Sequence, residues 1–154
     1  MKHGRNSVAV ATFLAIAGGL AAATALADED DFKTRAPANA TYAAACGMCH
    51  LAYPPGLLPA ASWRAVLDGR ADHFGVPLAP APEVLAEIEA YLLANAGRAR
   101  EGAAQSLRIT EQAWFRHEHG ERLQARAAGD PAIGRMSNCA ACHRGAEQGR
   151  FDDD

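Results

Sequence analysis

The strongest hydrophobic pattern in the chain lies at Glu83–Ala96. Val84, Leu85, Ile88, Tyr91 and Leu92 recur at helical spacing and form one apolar stripe, and Gly97 marks its stop. An Ala-rich run over 37–45 predicts a short helix ending at Cys46. Pro54, Pro55, Gly56 and Pro59 exclude a helix or a central strand between Leu51 and Pro59. Ser62 is the predicted cap of a short helix over Trp63–Asp68, closed by Gly69. Val76–Pro82 is a second Pro-rich connection. A further helix is predicted from Glu111 to about Ala127 behind Thr110, broken by Gly129, Asp130 and Pro131. A last helical piece is predicted to lead into Cys139. No alternation of period two stands out, so the fold class is mainly α. Residues 97–107 are small and polar and mark a division into 28–97 and 98–154.

Residues 1–27 have a different character. Lys2, His3 and Arg5 precede an uncharged apolar run from Val8 to Leu26. Ala25-Leu26-Ala27 is a small-x-small cleavage signature, followed at once by Asp28-Glu29-Asp30-Asp31. This is the pattern of a secretory signal peptide cleaved after Ala27, and it points to a periplasmic protein. The competing reading is an uncleaved anchor, but the run is rich in Ala and Gly and weak in Leu and Ile. No later stretch is long and apolar enough to span a bilayer, so a soluble mature form, monomeric, is expected.

Composition narrows the class. The chain has 154 residues, 49% hydrophobic and 21% charged, which suits one domain or two small ones. Aromatics at 6% are thin for a core made from side chains alone. The net charge of −3 argues against a nucleic-acid surface, and loss of Lys2 and Arg5 with the leader makes the remainder more acidic.

The candidate chemistry lies in two C-x-x-C-H motifs, Cys46-Gly47-Met48-Cys49-His50 and Cys139-Ala140-Ala141-Cys142-His143. This is the c-type haem attachment signature. Two thiols on one turn each add to a haem vinyl group, and the His after the second thiol supplies an axial nitrogen. Other readings fit less well. A redox dithiol sits near a βαβ unit, and none is visible. A zinc site needs both pairs to converge across a gap without finger-like spacing. Two covalently bound haem c groups are therefore expected, with Cys46, Cys49, Cys139 and Cys142 as attachment points and His50 and His143 as proximal iron ligands.

The sixth ligand of each iron follows by elimination. Met48 lies within the first motif, and Met136 is too close to Cys139 to cross to the far face of that haem, so it could serve only the other haem. His73, His117 and His119 remain for two positions. His73, in Asp72-His73-Phe74-Gly75, has enough chain to fold back over the first haem. His117 and His119 lie about 200° apart around a helix, so one helix cannot turn both toward one haem. Phe115, His119 and Leu123 share an apolar face, whereas His117 shares a polar one. That favours His119, with His117 left as the alternative. Bis-His ligation saturates the iron and lowers its potential below that of His/Met cytochromes c. Each proximal Nδ1–H should donate to a carbonyl, for His50 one from residues 53–59. Trp63 and Arg64 are candidates for haem propionates, Trp63 alternatively for the core.

The run from Cys46 to Trp63 closely resembles the dihaem cytochrome c family of bacterial periplasmic electron carriers. Asp72-His73-Phe74-Gly75, Arg108-Ile109-Thr110, Trp114-Phe115-Arg116 and Glu118-His119 match it as well. The resemblance implies a class I-like cytochrome c domain followed by a smaller, irregular α haem-binding domain. It implies bis-His ligation with His73 and His119 as distal ligands. It further implies low-potential electron transfer to a small oxygen-binding c-type cytochrome, with electrons from a membrane b-type cytochrome, and a carrier rather than an enzyme. A dihaem peroxidase or a gas-binding haem protein, with one open iron, is the alternative.

Overall fold

The computed structural model describes residues 37–99 and 106–151. The expected leader and its cleavage point, the acidic segment that follows, most of the expected boundary and the terminal Asp152-Asp153-Asp154 lie outside the described residues. The described chain is helical, with isolated bridges and no strand.

Three helices build the first half. Helix α1 (Ala40–Cys46) starts where the Asn39 side chain accepts the Tyr42 N–H at 2.7 Å. It ends at Gly47, whose N–H donates to the Ala43 carbonyl at 2.9 Å. Helix α2 (Ala60–Asp68) begins earlier than its expected Ser62 cap. Pro59 caps it instead, its carbonyl accepting the N–H groups of Ser62 and Trp63 at 3.0 and 3.1 Å. A proline suits that position because its missing N–H would have no helical partner. Ser62 is fully buried in the first turn with its hydroxyl unpartnered.

Helix α3 (Pro82–Ala94) has Pro82 and Glu83 in its first turn, both favourable there, and ends at Asn95 rather than Ala96. Gly97 does not stop the helix. Its N–H donates to the Leu58 carbonyl at 2.9 Å, pinning the chain to the Pro-rich segment. A Cβ at Gly97 would fall on the Gly56 carbonyl oxygen, so this close approach needs glycine. Helices α1 and α2 both pack on α3. Tyr42, Leu58, Trp63, Ile88 and Leu92 form the core between them, flanked by Leu67, Val84, Tyr91 and Leu93 and by Ile109 from the second half.

The second half is made of shorter pieces. A 3-10 turn (Ile109–Glu111) leads into helix α4 (Ala113–Glu118), then helix α5 (Glu121–Gly129). The single helix expected from Glu111 to Ala127 is thus broken at His119-Gly120. Gly120 is a poor helix former and adopts a non-helical conformation at the start of α5, where its carbonyl accepts the N–H groups of Leu123 and Gln124. Gln112, not Thr110, precedes α4. The expected helical piece before Cys139 is instead a series of turns. Asp130 takes the Ala132 N–H on its side chain at 2.9 Å, and Gly134 has a left-handed φ of 71°. Two 3-10 turns, Cys139–Ala141 and Ala146–Gln148, complete the chain. Buried apolar residues here are few: Phe115, Ala127 and Ala146. Among the described residues no helix is long and apolar enough to cross a membrane.

Candidate haem-binding sites

The first motif sits at the end of α1. Cys46 is its last residue, half-buried, and Cys49 and His50 follow in an exposed turn. The His50 Nδ1 lies 2.7 Å from the Leu51 carbonyl oxygen. A carbonyl only accepts, so Nδ1 carries the proton and Nε2 keeps its lone pair for a metal. The partner is the adjacent carbonyl and not one from 53–59. In that segment the Tyr53 carbonyl accepts the Tyr42 hydroxyl at 2.8 Å, and the Pro55 carbonyl accepts the Trp63 indole N–H at 2.7 Å. Trp63 is therefore a core residue with its donor used internally, and Arg64 is exposed on α2.

His73 approaches His50 from a tight turn. His73 and Val76 exchange both backbone hydrogen bonds, at 3.0 and 3.2 Å, around Phe74 and Gly75. Both central residues have positive φ, 53° and 98°. Gly75 adopts this freely, but Phe74 is strained there by about 1–2 kcal/mol. The Asp72 carboxylate accepts the Gly75 N–H at 2.8 Å and fixes the turn. The Phe74 ring stands edge-on to His73 with centroids 4.9 Å apart, and the Arg108 guanidinium lies 4.2 Å from its centre. His73 then faces His50 with ring centroids 6.2 Å apart and planes 25° apart. Burial, then the neighbouring His50, holds the His73 imidazole toward its neutral form, the form that binds metal.

The second motif occupies the Cys139–Ala141 turn, and the His143 N–H donates back to the Cys139 carbonyl at 2.8 Å. His119 sits just past α4, stacked on Phe115 at 3.9 Å and 9°. Its Nδ1 lies 3.0 Å from the Phe115 carbonyl, which again leaves Nε2 available. His119 and His143 have ring centroids 6.0 Å apart and planes 80° apart. The Phe151 ring stands edge-on to His143 with centroids 5.5 Å apart. His117 is exposed on α4. Leu123, expected on the His119 face, lies in the next helix and is 46% exposed. Met48 is 80% exposed.

These spacings suit a metal held between imidazoles. A metal–nitrogen bond of about 2 Å on each side, and about 1.1 Å from nitrogen to ring centre, puts two axial rings about 6 Å apart. Both pairs meet that distance. Among the described residues no three His, Cys, Asp or Glu side chains converge on one point, as a zinc site built from both cysteine pairs would require. Burial pushes the Cys46 and Cys139 thiols above their ordinary range, unlike the lowered thiol of a redox dithiol. Tyr53, Phe74 and Arg108 were not anticipated as neighbours of the sites. The Phe-Gly pair beside His73 is the one local signal, since a bulky residue ahead of glycine in a two-residue turn needs a reason.

Paired C-x-x-C-H motifs on a helical chain define a c-type haem protein. The family model described as dihaem cytochrome c matches residues 42–151. A diheme cytochrome c from Rhodobacter sphaeroides is similar at 38% identity and a TM-score of 0.68, over 76% of this chain and 99% of that one. A diheme cytochrome type c from Shewanella baltica is similar at 42% identity and a TM-score of 0.65, over 75% of this chain and 89% of that one. No curated protein matches the sequence. The chain belongs to the dihaem cytochrome c family and carries two covalently attached haem c groups.

Proposed function

We propose that this dihaem cytochrome is a periplasmic, low-potential electron carrier with bis-His ligation at both irons. Cys46 and Cys49 hold haem 1, with His50 and His73 as axial ligands. Cys139 and Cys142 hold haem 2, with His143 and His119 as axial ligands. The observation that carries this reading is the pair of facing imidazole couples, 6.2 and 6.0 Å apart. When bound, haem supplies one-electron redox chemistry at iron. The protein's part is to hold two neutral imidazoles at each iron. Leu51 and Phe115 carbonyls orient His50 and His119, and the strained Phe74 turn presents His73. An iron saturated in this way has no position for peroxide or oxygen, which separates a carrier from a peroxidase or gas binder. Imidazole in place of a thioether favours the ferric state, which lowers both potentials.

The acidic balance, increased by haem propionates, suits a partner with a positive patch. A small oxygen-binding c-type cytochrome as acceptor and a membrane b-type cytochrome as donor fit this role. Transfer to such a partner should slow as salt rises.

Carbon monoxide tests the ligation. The reduced protein should not bind it, whereas His73→Ala and His119→Ala should each open one haem to it. His117→Ala should behave as the parent protein. Binding by the parent protein would favour an open iron, and binding by the His117 variant alone would reassign haem 2. The ferric protein should also give two different low-spin EPR signals, because near-parallel and near-perpendicular imidazole planes split the iron orbitals differently.

A further inference from the structure

One side chain touches both sites. The Tyr53 ring stacks on His50 with centroids 4.8 Å apart and planes 26° apart. Its hydroxyl donates to the Ser137 carbonyl at 3.0 Å, two residues before Cys139 and 84 residues away in sequence. The Cys139 Sγ lies 3.6 Å from that same carbonyl. Tyr53 is itself fixed from behind, because its carbonyl takes the hydroxyl of core residue Tyr42 at 2.8 Å. It is thus tied to the hydrophobic core, to the proximal imidazole of the first site and to the turn carrying the second motif.

We propose that Tyr53 is a positioning residue that couples the two haem-binding motifs. Its ring sets the His50 imidazole, and its hydroxyl sets where the Cys139 turn rests against the first site. This rests on the two-haem carrier reading above. Other ties join the halves: Ile109 packs on the first core, and Arg108 lies over Phe74 in a half-exposed cation–π contact. The Tyr53 hydroxyl is the more direct link.

The two functions of Tyr53 separate by substitution in the full haem-loaded chain. Tyr53→Phe keeps the ring and deletes the hydroxyl. Amide exchange over residues 135–143 should then accelerate about fivefold, the worth of one hydrogen bond. Electron exchange between the haems after flash reduction should slow severalfold, with the potential of haem 1 unchanged. Tyr53→Leu should add a shift in the potential of haem 1, which the Phe variant restores. If Tyr53→Phe matches the parent in both amide exchange and inter-haem rate, the coupling role is wrong. A parental haem 1 potential in Tyr53→Leu would overturn the ring's role. Failure of the carrier reading is distinguishable, since it shows in the unsubstituted protein as a haem that is not six-coordinate and low-spin.

Discussion

The two halves of the chain each bring a motif histidine to a second histidine, with different means. The first packs α1 and α2 on α3 around five buried side chains. Among its described residues the second buries Phe115, Ala127 and Ala146 as apolar side chains, and two of these are alanines. Burying a large apolar side chain stabilises by about 1.5–3 kcal/mol, and an alanine much less. The first half therefore has the larger protein core, and the second is expected to rely more on its haem and on the ties made by Tyr53, Arg108 and Ile109. A macrocycle fixed by two covalent bonds is a large apolar surface that can stand in for a missing core. The low aromatic content of the chain is tolerable for that reason.

The largest effect should come from removing one haem at a time. In Cys139→Ala/Cys142→Ala, residues 113–151 should become open to limited proteolysis, more than tenfold faster, while 40–97 stay resistant. In Cys46→Ala/Cys49→Ala, α1 to α3 should keep their helical signal with a lower melting point. Equal collapse of both halves in either variant would erase the distinction.

Next in size is Leu92→Ala, at a residue 1% exposed in the first core. It should cost about 3 kcal/mol in denaturant melts, while Leu123→Ala, 46% exposed in the second half, should stay within about 0.5 kcal/mol of the parent. A smaller change of opposite sign is expected from Ser62→Ala. Removing a buried hydroxyl that has no partner should stabilise the first half by about 1 kcal/mol. Destabilisation would mean that the hydroxyl has a partner, such as an ordered water.

The smallest effect concerns acid. The Asn39 side chain donates to Glu87 at 2.9 Å and, with Thr41, holds its carboxyl below the usual range. A depressed carboxylate stabilises the fold above its unfolded pKa, and that contribution is lost as pH falls through the folded value. Glu87→Gln should flatten the acid limb of the stability curve slightly. An unchanged limb would show that this exposed tie between α1 and α3 contributes nothing.

How much of this was readable in advance varies with the physics involved. The stripe Val84, Ile88 and Leu92 located α3 because one amphipathic face is a local, periodic signal. The breaks at Pro54, Pro55 and Pro59 were equally local. The helix broken at His119-Gly120 was not foreseen, since a single glycine only weakens a helix and the packing of Phe115 under His119 decides whether it ends there. Ser62 looked like a cap by residue type, but the core took it, and Pro59 had the free carbonyl. The Leu51 carbonyl, rather than one from the Pro-rich segment, took His50, while the Tyr53 and Pro55 carbonyls serve Tyr42 and Trp63.

By itself the sequence determined the chemistry that short spacing encodes: two C-x-x-C-H motifs, an acidic chain and few histidines beyond the motifs. Attachment to haem needs only neighbouring residues on one turn, so a linear reading captures it. Which histidine faces which, and what supports each ring, was decided by contacts between residues far apart in the chain. His73 meets His50 through a strained turn and His119 meets His143 across a broken helix. Tyr53 reaches Ser137 across 84 positions. Such distances are set by packing, which acts on the folded surface and leaves no period in the sequence.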